Sequence, residues 1–321
     1  MRTLFILLLL PAFAIGQTTN KKINNSFFNQ PLPGSEAVLF APGIISDEFG
    51  NRDMAISPGG DELFYTFQYR GGFVFSTLMY SRKINGKWSQ PEIASFCGKY
   101  NDLEPAFSPD GSKLYFASNR PVDGKEKKDF DLWFAAKQNG TWGEPVNMGE
   151  PVNSNKNEFY PSVTKSGNIY FTKEMEGKDE DIVVCKWTGN KYDTAVSLPD
   201  AINSVGGEFN AFVDPDEKYV LFTGYKRKDN IGTGDLFISK RNDKGEWMAA
   251  QNLGEKINGA GLTYCPYVSP DKKVLFFCSS RGIFKTPFAT PQKANKLKKL
   301  FHSPLNGLDN IYWIQAGSLL D

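Results

Sequence analysis

Five times along this chain a run of strand-forming residues breaks at a short turn and is answered by a second run. The versions read DMAISPGGDELFYTFQY from Asp53, EPAFSPDGSKLYFASNR from Glu104, YPSVTKSGNIYFTKE from Tyr160, NAFVDPDEKYVLFTGYKR from Asn210 and CPYVSPDKKVLFFCSSR from Cys265. Ser57, Ser108, Thr164, Asp214 and Ser269 stand just before the turns. Their side chains can hydrogen-bond the turn backbone, while Pro, Asp and Gly supply its dihedrals. A period of roughly fifty residues lies in the range of propeller-type repeats.

A second module follows each hairpin. FDLWFAAKQNGTWGEPVNMGEPVNS, from Phe130 to Ser154, has relatives in TLMYSRKINGKWSQPEI, DIVVCKWTGNKYDTAVSLPDAINS and DLFISKRNDKGEWMAAQNLGEKING. Each reads as a strand, a turn such as Asn85-Gly86 or Asn139-Gly140, an aromatic (Trp88, Trp142, Tyr192, Trp247) and a weaker strand. Asn-Gly between hydrophobic runs is a strong hairpin signal. Every repeat is therefore predicted to be four antiparallel strands, A to D from the inside outward. One such sheet cannot bury both faces, whereas radial stacking can. The fifth repeat ends after strand C, DNIYWIQ from Asp309, and SEAVLFAPGIIS from Ser35 to Ser46 supplies the missing D. The expected fold is all-β: a five-bladed propeller whose last blade is closed by the N-terminal strand.

Pro105, Ser108, Pro109, Asp110, Gly111, Leu114, Phe116, Ser118 and Arg120 carry a resemblance to the PD40, or WD40-like, repeats of TolB-type β-propellers, which are common in exported bacterial proteins. The resemblance runs from about Ser35 to Gln315. Repeat three departs most, with Lys165-Ser166-Gly167 at the turn, and repeat one has Gly59-Gly60. It implies an architecture and no ligand, because fold does not fix function.

The N-terminus reads differently. Arg2, the apolar run Leu4 to Leu10, Pro11 and the small residues Ala14 and Gly16 form a signal-peptide pattern. The run is short for a membrane span. The expected layout is a signal peptide over 1–16, an N-terminal linker over 17–34 and one propeller domain over 35–321, with repeats starting near 53, 104, 160, 210 and 265. Cleavage near Gly16 would leave a periplasmic or secreted chain beginning at Gln17. A net charge of +1 argues against a nucleic-acid binder, which usually needs a basic face. The chain has one histidine, His302, which weighs against a triad hydrolase or a His-ligated zinc site.

Chain direction puts residues before strand A and after strand B on one face. Asp102, Glu104, Glu158, Glu208 and Asn210, with Arg70, Arg120, Arg227 and Arg281, are the expected ligand-binding rim; the same regularity would also arise from salt bridges repeated blade by blade. Asp53, Glu104 and Glu158 come from successive blades and are the candidate catalytic carboxylates of an alternative, glycosidase-like reading, since glycoside hydrolysis needs two carboxylates at a defined separation. Counting across the hairpin sets Cys265 opposite Cys278, a candidate disulfide. No metal or cofactor is expected, although calcium could sit among the oxygen-rich acids before strand C, Asp129 and Asp131, Asp179 and Asp181, and Asp235. The basic QKANKLKKLFH, Gln292 to His302, falls in the B-to-C insertion of the fifth repeat. The sequence leans away from an enzyme. It points to an exported monomeric binding module for a protein or cell-envelope polymer, with the ligand at the channel mouth, no nucleic-acid partner and no membrane span; a carbohydrate-active enzyme is the alternative.

Overall fold

Each repeat folds into its own antiparallel sheet, and the computed structural model describes these sheets over residues 27–125, 127, 129–177, 179–281 and 288–320. The first blade runs Gly50–Ile56, Glu62–Arg70, Val74–Ile84 and then the short outer pieces Lys87–Trp88 and Glu92–Ile93. The second has Asp102–Phe107, Lys113–Ser118, Asp131–Gln138, Thr141–Trp142 and Val146–Asn147. The third has Glu158–Val163, Ile169–Lys173, Asp181–Cys185 and Val196–Ser197, and the fourth Gly207–Val213, Tyr219–Tyr225, Gly234–Lys240 and Gln251–Asn252. The fifth is built from Thr263–Val268, Val274–Ser279 and Asn310–Gln315, and its outer strand is Val38–Leu39. The fold is thus a five-bladed all-β propeller closed by its N-terminal strand.

Turn chemistry explains the hairpins. Ser57, Ser108 and Ser269 Oγ accept N–H bonds from Glu62, Lys113 and Val274 at 2.9–3.0 Å. Asn85-Gly86 and Asn139-Gly140 both have positive φ, as two-residue hairpin loops require. The third blade, whose turn lacks Pro-Asp-Gly, is held from outside. Glu217 of the fourth blade accepts hydrogen bonds from Thr164, Ser166, Asn168 and Tyr170 at 2.7–2.9 Å.

Closure is as much aromatic as hydrogen-bonded. Val38 and Leu39 pair with Trp313 and Tyr312, and Phe40 N–H bonds Ile311 O at 2.9 Å. The Phe40 ring, fully buried, meets Phe276 and Trp313 at centroid distances of 5.1 and 5.0 Å. Residues expected to be linker contribute too: Phe27 and Phe28 stack on Trp88 at 5.7 and 5.5 Å. Two aromatic rings next to an apolar seam gain too much by burial to stay in solvent. The expected signal peptide, 1–16, lies outside the described residues. The B-to-C insertion of the fifth blade carries the helix Ala294–Phe301, and among the described residues no helix is long and apolar enough to cross a membrane.

One backbone event recurs in every blade and was not foreseen. Each inner strand carries a β-bulge, and Asp53, Glu104, Tyr160, Asn210 and Cys265 sit there with φ between 45° and 62°. The extra residue shifts the register. Leu103, not Glu104, faces Ala117, and Tyr264, not Cys265, faces Cys278. The expected disulfide is corrected accordingly: Cys265 and Cys278 are free thiols.

Candidate functional site in the central channel

The five bulge residues form a polar belt across the channel. A left-handed backbone is uncommon for any residue but glycine, yet glycine here would leave the channel empty. The side chains meet instead. Arg52, just before the first bulge, donates from Nε to Asp53 at 2.9 Å and from Nη2 to Glu104 at 2.7 Å and Cys265 Sγ at 3.5 Å. Glu104 also accepts from Asn210 Nδ2 at 3.1 Å and from the Tyr160 N–H at 2.8 Å. Tyr160 reaches across to Pro266 O at 2.9 Å, and Cys265 donates to Asn210 Oδ1 at 3.4 Å.

A second hydrogen-bond rule ties the belt to the blades. The residue on strand B opposite the position before the bulge is Thr66, Ala117, Thr172, Thr223 or Cys278. Thr66 and Thr172 accept the N–H of the next blade's bulge residue, Glu104 and Asn210, at 3.0 and 2.9 Å. Cys278 accepts that of Asp53 at 3.1 Å. Ala117 has no acceptor to offer Tyr160, and the Glu104 carboxyl takes its place. Thr223 Oγ1 is buried without a hydrogen-bond partner.

Burial dominates the electrostatics. It pushes the Glu104 carboxyl up to about 8 against the pull of Arg52, with Asp53 adding to the rise. Burial opposes the Arg52 charge, but Asp53, Cys265, Tyr264 and Glu104 hold the guanidinium above its ordinary value. The Cys265 thiol is raised by burial and then by its neighbour Cys278. Burial thus disfavours ionisation of Glu104 and Cys265 beside the Arg52 guanidinium.

Below the belt, on the side of the A-to-B turns, lies a cavity of about 270 Å³. Glu104 and Tyr160 line it together with the aromatic side chains Phe107, Phe212, Tyr219 and Tyr267. Sequence reasoning placed the ligand at the opposite mouth. The signal it passed over was the set of five turns, which chain direction gathers around one opening.

The expected rim residues divide. Glu104 and Asn210 enter the belt. Asp102 binds Arg120 and Ser118, both at 2.6 Å, and Glu208 binds Arg227 at 2.8 Å and Ser204 at 2.5 Å. Arg120 and Arg227 also donate to the loop carbonyls of Phe96 and Ile202, and Arg281 donates to Ser279 and to Ile257 O. Arg70 is exposed and donates to Gln68. Of the three candidate catalytic carboxylates, Asp53 and Glu104 share Arg52, whereas Glu158 turns away to Ser154 and Lys173. Glu158 stands two residues before its bulge, in register with Asp102 and Glu208. The residue that its blade sends into the channel is Tyr160.

Among the described residues, a metal-capable cluster sits in the belt: carboxylate and thiol donor atoms of Asp53, Cys265 and Cys278 lie within 4.8 Å of one another, all buried. The acids before strand C hold other partners, Asp131 binding Lys127 and Asn147 and Asp235 the Ile231 and Gly232 amides. The reading that leaned away from an enzyme is corrected by this cluster, which is chemistry-bearing and lies within a buried channel. Such groupings with perturbed neighbours are functional-site candidates.

No known protein-family model matches the chain, and neither does any curated protein. Among solved structures, a putative TolB from Agrobacterium tumefaciens is 14% identical, with 75% of this chain and 73% of that one covered at a TM-score of 0.48. TolB from Acinetobacter baumannii is 14% identical over 72% of this chain and 49% of its own, TM-score 0.47. A glycoside hydrolase is 11% identical over 77% and 87%, TM-score 0.49. At this distance none of the three carries an argument about function, and the five-bladed architecture rests on the strand pairing itself.

Proposed function

We propose that this propeller is a carbohydrate-active enzyme whose proton donor is Glu104. The observation that supports this reading is the placement of a carboxyl, held by Arg52, Asn210 and the Tyr160 amide, at the end of an aromatic-lined cavity. Aromatic walls with a few fixed polar groups are the usual make-up of a small-molecule site. A carboxyl that keeps its proton near neutral pH can protonate a leaving oxygen, as the acid of a glycosidase does. Asp53 serves in this scheme by holding the Arg52 guanidinium against Glu104, Glu158 has no part in it, and the nucleophile is a group of the substrate itself, as in substrate-assisted glycosidases.

The repeats are read as PD40-type, and the chain as an exported monomer acting on a cell-envelope polymer rather than on nucleic acid. Support for export is the residue pattern of 1–16, followed by a near-neutral propeller. The test is turnover of a glycan panel by the full chain, followed by reducing-end release, with Glu104→Gln beside it. Gln retains an acceptor for the Tyr160 amide. The expected outcome is a loss of about 10²-fold or more in kcat, with the variant folded and no less stable than wild type at pH 7. A wild-type chain inert on every glycan, or a Gln variant as active as wild type, overturns the proposal.

A further inference from the structure

Asp53 belongs to the first blade and Cys265 and Cys278 to the fifth, so this cluster spans the seam at which the ring closes. We propose that the three side chains bind one divalent cation of the zinc class, which staples the first blade to the last. The inference is independent of Glu104 and of any carbohydrate.

The donor geometry comes first. Three donors within 4.8 Å of one another leave an ion at their centre under ~3 Å from each, so zinc bonds of about 2.0–2.3 Å need only a small inward turn. Asp53 then supplies an unexplained group. Its Oδ1 accepts from Arg52, while its Oδ2 is buried without any hydrogen-bond partner, a vacancy that native interiors seldom leave. The thiols are also prepared for a metal. Cys278 Sγ accepts the Asp53 amide and Cys265 Sγ accepts from Arg52, the outer hydrogen bonds that fix and tune thiolate ligands. Two sulfurs and one oxygen select a borderline-soft ion over calcium or magnesium.

The step balances. Arg52 sits on Asp53 at 2.9 Å, and binding adds a 2+ ion, forms two metal–sulfur bonds and one metal–oxygen bond, and releases one proton from each thiol to solvent. The 2+ ion thus meets two thiolates, so no uncompensated charge is buried.

The experiment uses the full-length reduced chain with Zn²⁺ or Co²⁺ alone. The expected result is one ion retained per chain after desalting, two protons released per ion and thiolate-to-cobalt charge-transfer absorption. Asp53→Asn is expected to weaken binding at least tenfold, Cys278→Ser to abolish the cobalt band, and Cys185→Ser and Glu104→Gln to leave it unchanged. Failure of the glycan assay with retention of the ion would thus sink only the catalytic proposal. No stoichiometric ion on the wild-type chain, or a Cys278→Ser variant that binds equally well, overturns the metal site. Two rather than four reactive thiols in the denatured, unreduced chain would also overturn it, because the pair would then be a disulfide.

Discussion

Glu104 does two jobs that are separate in the other blades. It occupies the bulge of its own inner strand, and its carboxyl accepts the Tyr160 amide that a threonine would otherwise take. Burial raises its carboxyl to about 8, well above the ordinary 4.5. The fold therefore binds a proton that the unfolded chain releases. The stability this contributes is complete below the ordinary carboxylate range and is lost as pH rises toward about 8. Melting the wild type and Glu104→Gln between pH 4.5 and 8.5 should show wild type losing ground to the variant, by at most ~1.4 kcal/mol per pH unit. Parallel curves would mean that Glu104 is ionised throughout. Nothing in the sequence marked this residue above Glu158. Both are glutamates near the start of strand A, and only the bulge decides which of them enters the channel.

At the scale of strands and turns, most of the fold was legible and the belt was not. Blade number, strand order and closure follow from local signals written five times: alternating apolar residues, hydroxyl-bearing turn anchors and Asn-Gly hairpins. The bulges have no such signature. Asp53 and Asn210 tolerate a left-handed backbone readily, but Tyr160 and Cys265 do not advertise it, and the five share position rather than chemistry. The register count that set Cys265 opposite Cys278 failed for this reason, by one residue. The odd turn of the third blade, read as a departure from pattern, is a docking point for Glu217. Burial works against that carboxylate, but Ser166, Tyr170, Thr164 and Asn168 hold it below its ordinary value. Its contribution is present above the ordinary carboxylate range and is lost as pH falls through the lowered value. Glu217→Ala should reduce stability by about 2–3 kcal/mol at pH 7, with a smaller difference at pH 3. Equal urea midpoints at pH 7 would refute the docking role.

The whole molecule is a ring that one short strand must complete. Val38–Leu39 contributes few backbone bonds, so Phe40, wedged between Phe276 and Trp313, carries much of the closing energy. Phe40→Ala should cost about 3–5 kcal/mol, and deleting residues 35–46 should broaden the thermal transition or cause aggregation through the exposed edge of Asn310–Gln315. A deletion that melts as the full chain does would show that the ring does not depend on this strand. Closure also bears on the belt. A perfect fivefold array would offer five equal stations around its axis, and no ligand could prefer one direction of approach. In the second blade Ala117 omits the acceptor that Thr66, Thr172 and Cys278 supply to their neighbours. That omission, beside five bulge side chains that already differ, draws a carboxyl out of rank, so the axis acquires a front.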